Sequence, residues 1–454
     1  MQQPDRFKDY AALVCEQLRW KRARPVIARE IETHLRDQRD ALMRSGMDAE
    51  KAVDESIRRM GDAVEIGTSL DRIHRPKPSW GLLILTVILL LAGLGIHLFL
   101  AYDSDLLFKH VIAAVLGLGC LLGAYFMDFT LLGKGPLALF AGIVLLIGCA
   151  LLVDTRHASG YSSAAAQLTL LLPLAYAALL YWLRGKRYLG LVSAGAGLAI
   201  LCVCCCVIPS MAGLLVTAAA GVVLLAVAAW GNWFRIGKRR GLILIGALVL
   251  LGAAVILLYL LSSSYLQRIE LAFHPEIEPM GRGWRGLVIR EALAGAQLAG
   301  EGTPGVYAAV SPLFFEDTNL LLASLIHHVG RISLVSVLAV FLVFFAAAVY
   351  KCCKQKNMLG RLVSFAVILT LAFQVLFYVC CNFGIFLFSA FPLPLVSYGN
   401  TALVADLTLI GVMLSAFRTG SLVRDREPSR ANRLRRVRWK DGELTISFQK
   451  TIPS

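Results

Sequence analysis

Charge is scarce in this chain. Asp, Glu, Lys and Arg make up 17% of its 454 residues, against 57% hydrophobic residues. That balance excludes a water-soluble globular protein and leaves an integral membrane protein. Metal-ligand spacing is missing as well. Ten of the eleven cysteines, Cys202, Cys204, Cys205 and Cys206 among them, lie in apolar runs or at their ends, and none falls between Ser262 and Asn319. No His or acid stands beside them at ligand spacing, so they read as small apolar fillers. No cofactor is expected, and a divalent cation finds no visible ligand cluster. A signal-peptide pattern is absent too. The first 79 residues are charged and helical in pattern, so the first apolar run reads as a retained span.

What is there is a series of apolar runs long enough to cross a bilayer, each near the roughly 17–25 residues that its thickness demands. Ten are expected: Trp80–Ala101, Phe108–Phe126, Pro136–Val153, Gln167–Leu183, Leu189–Val207, Met211–Trp230, Gly241–Leu261, Leu320–Tyr350, Leu362–Phe388 and Thr401–Phe417. With a cytoplasmic N-terminus, 38 of the 45 Lys and Arg fall on the inside. The opposite orientation would invert that ratio, so both termini are expected in the cytoplasm. The net charge of +15 is thereby a topology signal, with anionic membrane lipids as its natural partners and no nucleic acid required.

Outside the spans, residues 1–75 read as a small cytoplasmic helical domain. Helices are expected over Arg6–Leu18 and Pro25–Ser45. Gly46 then acts as a stop and Asp48 as a cap, and Gly61-Asp62 repeats the signal before a fourth helix. The strings at Glu30–Leu35 and Arg58–Ala63 resemble the prefix domain ahead of some bacterial permeases, which implies docking or regulation; a plain solvated anchor is the alternative. Residues 76–79 form a stiff linker through Pro76 and Pro78. The segment 262–319 is the one long outer loop, and Gly286–Ala299 within it carries an apolar face at helical spacing, as an interfacial helix would. In the basic tail 418–454, alternation about Asp441-Gly442 predicts a β-hairpin with a type I′ turn.

Between the last two apolar runs stands Phe391-Pro392-Leu393-Pro394-Leu395-Val396-Ser397-Tyr398-Gly399-Asn400-Thr401. Two prolines and a glycine forbid a regular helix there. Irregular backbone at membrane depth is tolerated only where protein buries it or where it lines a wet cavity. The string resembles the L-P-F-I-S-Y-G-G-S-S signature of the SEDS family (shape, elongation, division and sporulation; FtsW, RodA, SpoVE). Gln374, Asn382-Phe383-Gly384 and Gly411 extend the resemblance, which covers roughly 108–417. It implies an all-α polytopic membrane protein with a ten-helix SEDS-like bundle over 80–417. It also implies polymerisation of a lipid-linked peptidoglycan precursor, in partnership with a class B penicillin-binding protein.

The pattern departs from the family at places that matter. Pro209-Ser210-Met211-Ala212 stands where the family shows Q-P-D-x-G. In the outer loop, Phe314-Phe315-Glu316-Asp317-Thr318-Asn319 occupies the place of P-E-x-H-T-D, so the family's acid becomes Asn319 and the following acidic pair becomes His327-His328. Glycosyl transfer needs a base near the acceptor hydroxyl and cationic stabilisation of the diphosphate. The resemblance therefore points to Asp317, Asn319 and Glu316 as catalytic candidates, with Asp317 the nearest carboxylate to the family position. Lys109, Arg290, Arg331, Asn382, Ser397 and Tyr398 are the substrate-binding candidates. His327 and His328 are expected as wetted residues at the outer end of a span. Three functions compete: a SEDS glycosyltransferase, a non-catalytic relative that binds a division partner or the lipid precursor, and a lipid flippase or transporter.

Overall fold

The computed structural model describes residues 6–21, 23–100, 104–154, 163–208, 210–262, 265–303, 305, 320–385, 391–420, 436–440 and 443–447. It divides into two compact units. One comprises residues 1–78 with 418–424, the other residues 79–417 with 425–454.

The first unit contains α1 (Arg6–Glu16), α2 (Arg24–Arg44), α3 (Ala49–Met60) and α4 (Ala63–His74). Its core is Phe7, Tyr10, Val14, Leu18, Ile27, Ile31 and Leu35, residues spaced three and four apart on α1 and α2. Gly46 and Gly61 hold φ of +92° and +98°, the left-handed backbone that ends a helix and that glycine adopts at least cost. The Asp48 carboxylate then accepts from the Glu50 amide, and Asp62 accepts from Val64 and Glu65, so each new helix starts with part of its orphan amides satisfied. The Tyr10 hydroxyl donates to the Gly61 carbonyl at 2.9 Å and joins α1 to that turn.

In the second unit, nine helices among the described residues are long and apolar enough to cross a membrane. They are built from α5 (Trp80–Phe99), α6 (Ser104–Phe126), α8 (Pro136–Asp154), α9–α10 (Ser163–Leu168 and Leu172–Leu183), α11 (Arg187–Val207), α12 (Met211–Trp230), α17 (Arg331–Cys353), α18 (Met358–Asn382) and α19 (Asn400–Thr419). Short α7 (Thr130–Lys134) leads into α8. The run expected as a further span, Gly241–Leu261, lies within the 25-residue helix α13 (Lys238–Ser262). In the outer segment stand α14 (Tyr265–Phe273), α15 (Trp284–Gly295) and, beyond the described part of the loop, α16 (Leu321–Val329). Two tail strands, β1 (Arg436–Lys440) and β2 (Glu443–Ser447), pair antiparallel with Val437 opposite Ile446 and Trp439 opposite Leu444. Residues 441–442, where the turn is expected, lie outside the described residues.

The buried share of the span windows runs from 17% for Pro136–Val153 to 72% for Asn400–Thr419, with Ser163–Leu183 at 67% and Met358–Asn382 at 61%. These three are the most buried of the nine, and Gln374, Asn382 and Asp406 on them are 1% exposed or less. A helix break interrupts one expected span and divides another. Pro173 has no amide to return to Thr169, so the chain tightens into a 3₁₀ turn over Thr169–Leu171 between α9 and α10. The run Leu320–Tyr350 is not one helix. Gly330, at φ +102°, separates the buried α16 from the spanning α17, because only glycine takes that conformation without a Cβ clash.

Candidate functional site

The Pro-rich string becomes a buried, non-helical loop. Phe391, Leu393, Leu395, Val396 and Ser397 are all 5% exposed or less, while Tyr398 is half-buried. Leu395 holds φ +63°, and the loop turns on itself as the Val396 and Ser397 amides donate to the Leu393 carbonyl. It lies directly on α5. A Cβ at Gly93 would stand 2.7 Å from the Leu395 carbonyl oxygen and the Val396 Cα, so the loop seats only where that helix has no side chain. Phe391 packs with Leu170, Ala212 and Val216, next to the 3₁₀ break and the start of α12. Ser210, at the family's acid position, caps α12 by accepting from the Gly213 amide at 3.1 Å.

Three polar side chains hold the loop and the helix that follows it. Gln374 donates to the Pro392 carbonyl at 2.9 Å and to Asp406 Oδ2 at 3.2 Å. Gln167 accepts from the Ala402 amide at 3.0 Å, satisfying an orphan donor in the first turn of α19. Gln374 and Asp406 are each 1% exposed, and Gln374 Oε1 and Asp406 Oδ1 have no hydrogen-bond partner among the described residues. An acid so buried within a span is costly, which singles Asp406 out as a candidate site residue. On the other side of the loop, the buried rings of His97 and His110 meet edge to face at 4.8 Å, and Tyr398 lies 6.1 Å from His110.

Beside Tyr398 a groove of about 390 Å³ runs between α6 and the start of α19, lined by Lys109, Ile112, Ala113, Leu116, Asn400, Thr401 and Val404. Its walls are apolar apart from one ammonium, one amide and one hydroxyl. Lys109 is exposed and forms an ion pair with Asp105 at 2.6 Å. Asn400 donates to the Tyr398 hydroxyl at 3.3 Å, leaving its own carbonyl oxygen without a partner among the described residues.

The outer segment builds a second cluster. α15 packs Val288 and Ile289 against Leu320 and Ala323, so α16 covers the apolar face that the sequence assigns to the membrane interface. The Gly-rich run 298–302 lies along the end of α16: Gly302 donates to the His327 carbonyl and Gly300 to that of Val329. His327 is only 5% exposed, which corrects the expectation of a wetted residue there, while His328 stays 35% exposed and pairs with Glu301 at 3.8 Å. Burial holds the His327 pKa below the ordinary imidazole value; His328 adds to this and Glu301 opposes it.

This membrane domain matches a family's sequence profile over residues 80–421, a family described as cell cycle protein, FtsW/RodA/SpoVE. The chain belongs to that family. Among its relatives, the peptidoglycan glycosyltransferase MrdB of Escherichia coli K12 is 26% identical over 176 residues, covering 38% of this chain and 48% of MrdB. The chain thus spans about half the length of the curated relatives that it matches. A solved structure described as "Structural coordination of polymerization and crosslinking by a peptidoglycan synthase complex" aligns over 75% of this chain and 98% of its own, with a TM-score of 0.58 and 23% identity. A mutant of the rod shape determining protein RodA from Thermus thermophilus gives a TM-score of 0.50 at 18% identity, over 76% of this chain and 98% of its own. At these identities the likeness establishes the fold, that of a multi-pass FtsW/RodA/SpoVE membrane protein.

Of the FtsW/RodA/SpoVE-like candidates, Glu316, Asp317 and Asn319 lie outside the described residues, in the segment that leads into α16. Lys109 lines the groove, Tyr398 stands behind it as the hydrogen-bond partner of the lining Asn400, and Ser397 is buried in the loop. Asn382 is fully buried: it accepts from the Ala323 amide at 3.0 Å and donates to the Tyr378 carbonyl, docking the first turn of α16 on α18. Arg290 donates to the Ala272 and Phe273 carbonyls at the end of α14 and faces Glu276 at 3.7 Å. Arg331 opens α17 on the exposed surface, its guanidinium 3.5 Å from the Leu293 carbonyl. Sequence reasoning passed over Asp406 and the His97–His110 pair. The acid was findable as the lone carboxylate in an apolar run; the histidines, on separate helices, had no local signal.

Proposed function

We propose that this protein is a peptidoglycan glycosyltransferase of the FtsW/RodA type, extending a glycan strand from lipid-linked disaccharide in division, elongation or sporulation. The observation that carries this is the groove between Lys109 and Asn400. An apolar trough with Lys109 at its rim suits a polyprenyl chain whose diphosphate needs a cation. A class B penicillin-binding protein is the partner that the family resemblance implies. Ten spans, both termini in the cytoplasm and a docking role for residues 1–75 belong to the same reading.

In this reading Asp317 supplies the base that takes the acceptor proton, since the amide of Asn319 cannot. Removing a catalytic base costs about 10²–10⁴-fold in rate. With purified protein, its partner and lipid-linked disaccharide, Asp317→Ala should abolish polymer while Glu316→Ala is milder, and Asn319→Asp should raise the rate. If neither wild type nor Asn319→Asp makes polymer under conditions where a related enzyme does, the enzyme reading fails. The amide at the family's acid position then favours a non-catalytic relative that binds the precursor or a division partner.

A further inference from the structure

No Asp or Glu occurs between residues 155 and 269, a stretch that contains two short basic turns. The first, at the junction of α10 and α11, carries Arg184 and Lys186 and runs into Arg187 at the start of α11. The second follows α12 with Arg235 and runs into Lys238, Arg239 and Arg240 in the first turn of α13. The fold brings these turns side by side. The Gly185 amide donates to the Trp233 carbonyl at 2.9 Å. Gly190 permits the close approach, because a Cβ there would stand 2.7 Å from the Leu183 carbonyl oxygen and 3.1 Å from the Phe234 ring.

All seven cations are exposed or half-buried, and none forms an ion pair with a carboxylate among the described residues. Elsewhere in the molecule Arg6, Arg58, Lys109, Arg282 and Arg290 each face an acid. Two of the seven are held in an unusual backbone. Arg187 and Arg235 have φ of +54° and +56°, and with Asn232 they are three of the four left-handed non-glycine residues among those described. Glycine would fill such positions at less cost, so what arginine adds is its side chain. Arg184 stacks on Tyr181 at 3.7 Å and Lys186 on Trp182 at 3.1 Å, which holds their stems against the end of α10. Past the cations, Leu189 and Val192 on α11 and Val227 and Trp230 on α12 are exposed and apolar.

We propose that the two turns form one platform for the headgroup of an anionic phospholipid, with its acyl chains on the apolar surface of α11 and α12. General attraction of basic loops to a membrane needs neither the shared hydrogen bond nor arginines at left-handed positions; a headgroup site uses both. The proposal does not depend on glycosyl transfer.

The full chain in non-ionic detergent is titrated with short-chain phosphatidylglycerol, phosphatidylcholine and inorganic phosphate. Bound molecules are counted by native mass spectrometry, and the unfolding midpoint is followed. Phosphatidylglycerol should be retained and should raise the midpoint, while phosphatidylcholine and phosphate do neither. Neutralising Arg184, Lys186, Arg187 and Arg235 together to Gln should weaken phosphatidylglycerol binding by about tenfold or more. The matched set Lys351, Lys354, Lys356 and Arg361 to Gln should leave it within about twofold. Arg187→Gly and Arg235→Gly keep the left-handed backbone and remove only the cation, so each should fold and bind more weakly even if the fourfold variant does not fold. Equal binding of phosphatidylcholine, equal binding of phosphate alone, equal losses from the two fourfold sets, or undiminished binding by both glycine variants would overturn the proposal.

Discussion

Gln374 and Asp406 link the buried loop to the last helix, and their energetics are open to test. Taking away one partner of a buried hydrogen bond leaves the other unsatisfied, at about 1–3 kcal/mol. Asp406→Leu should therefore destabilise by about that amount, and Gln374→Leu by more, because it also releases the Pro392 carbonyl. Asp406→Asn retains an acceptor for Gln374 and adds an amide donor, so it should be tolerated. Unfolding midpoints in detergent would measure this, and Asn and Leu variants equally destabilised would contradict the pairing. His327 gives a prediction with a sign. Burial lowers its folded-state pKa, so the unfolded chain binds the proton more readily. The stability held in the neutral imidazole is complete above about pH 6.5, the ordinary His value, and is lost as pH falls through it. The protection of the α16 amides, taken relative to the intrinsic exchange rate at each pH, should fall on acidification from about pH 7.5 to 5.5, and His327→Gln should flatten that dependence. An unchanged pH profile in the variant would assign the effect elsewhere.

At the scale of elements, the close approach of the loop to α5 makes a contrast within one helix. A side chain at Gly93 would meet loop backbone at 2.7 Å, whereas one at Gly95 meets nothing within 4 Å. Overpacking of this kind costs about 1–3 kcal/mol. Gly93→Leu should lower the unfolding midpoint and displace Tyr398 from Asn400, seen as easier cysteine labelling at a Tyr398→Cys probe; Gly95→Leu should do neither. Most helices were legible in the chain because capping and apolar periodicity are local. Gly46 with Asp48 and Gly61 with Asp62 mark their helix ends by residue type alone. The break at Gly330 was not read, since a single glycine in an apolar run is tolerated in a helix. What decides it is the pairing of Arg331 and Ile332 amides with the Gln297 and Leu298 carbonyls, more than thirty residues back.

For the whole molecule, the distribution of basic residues makes topology the firmest expectation. Single cysteines placed in 262–319 should react with a membrane-impermeant reagent from outside intact cells, and cysteines at 184–187 or 235–240 only after permeabilisation. Labelling with the opposite pattern would reverse the orientation and move the groove to the other leaflet. By itself the sequence determined that this is a polytopic helical membrane protein with a non-helical interruption at 391–399, because apolar length, proline and charge act over one turn or one bilayer crossing. Only the tertiary structure decided which polar groups meet. Gln167 reaches Ala402 across 235 positions, Gln374 reaches Asp406, and the basic turns 184–187 and 235–240 lie together. A hydrogen bond buried between helices depends on rotation and depth in the bundle. Those are set by the packing of all the spans at once, and no single stretch of chain encodes them.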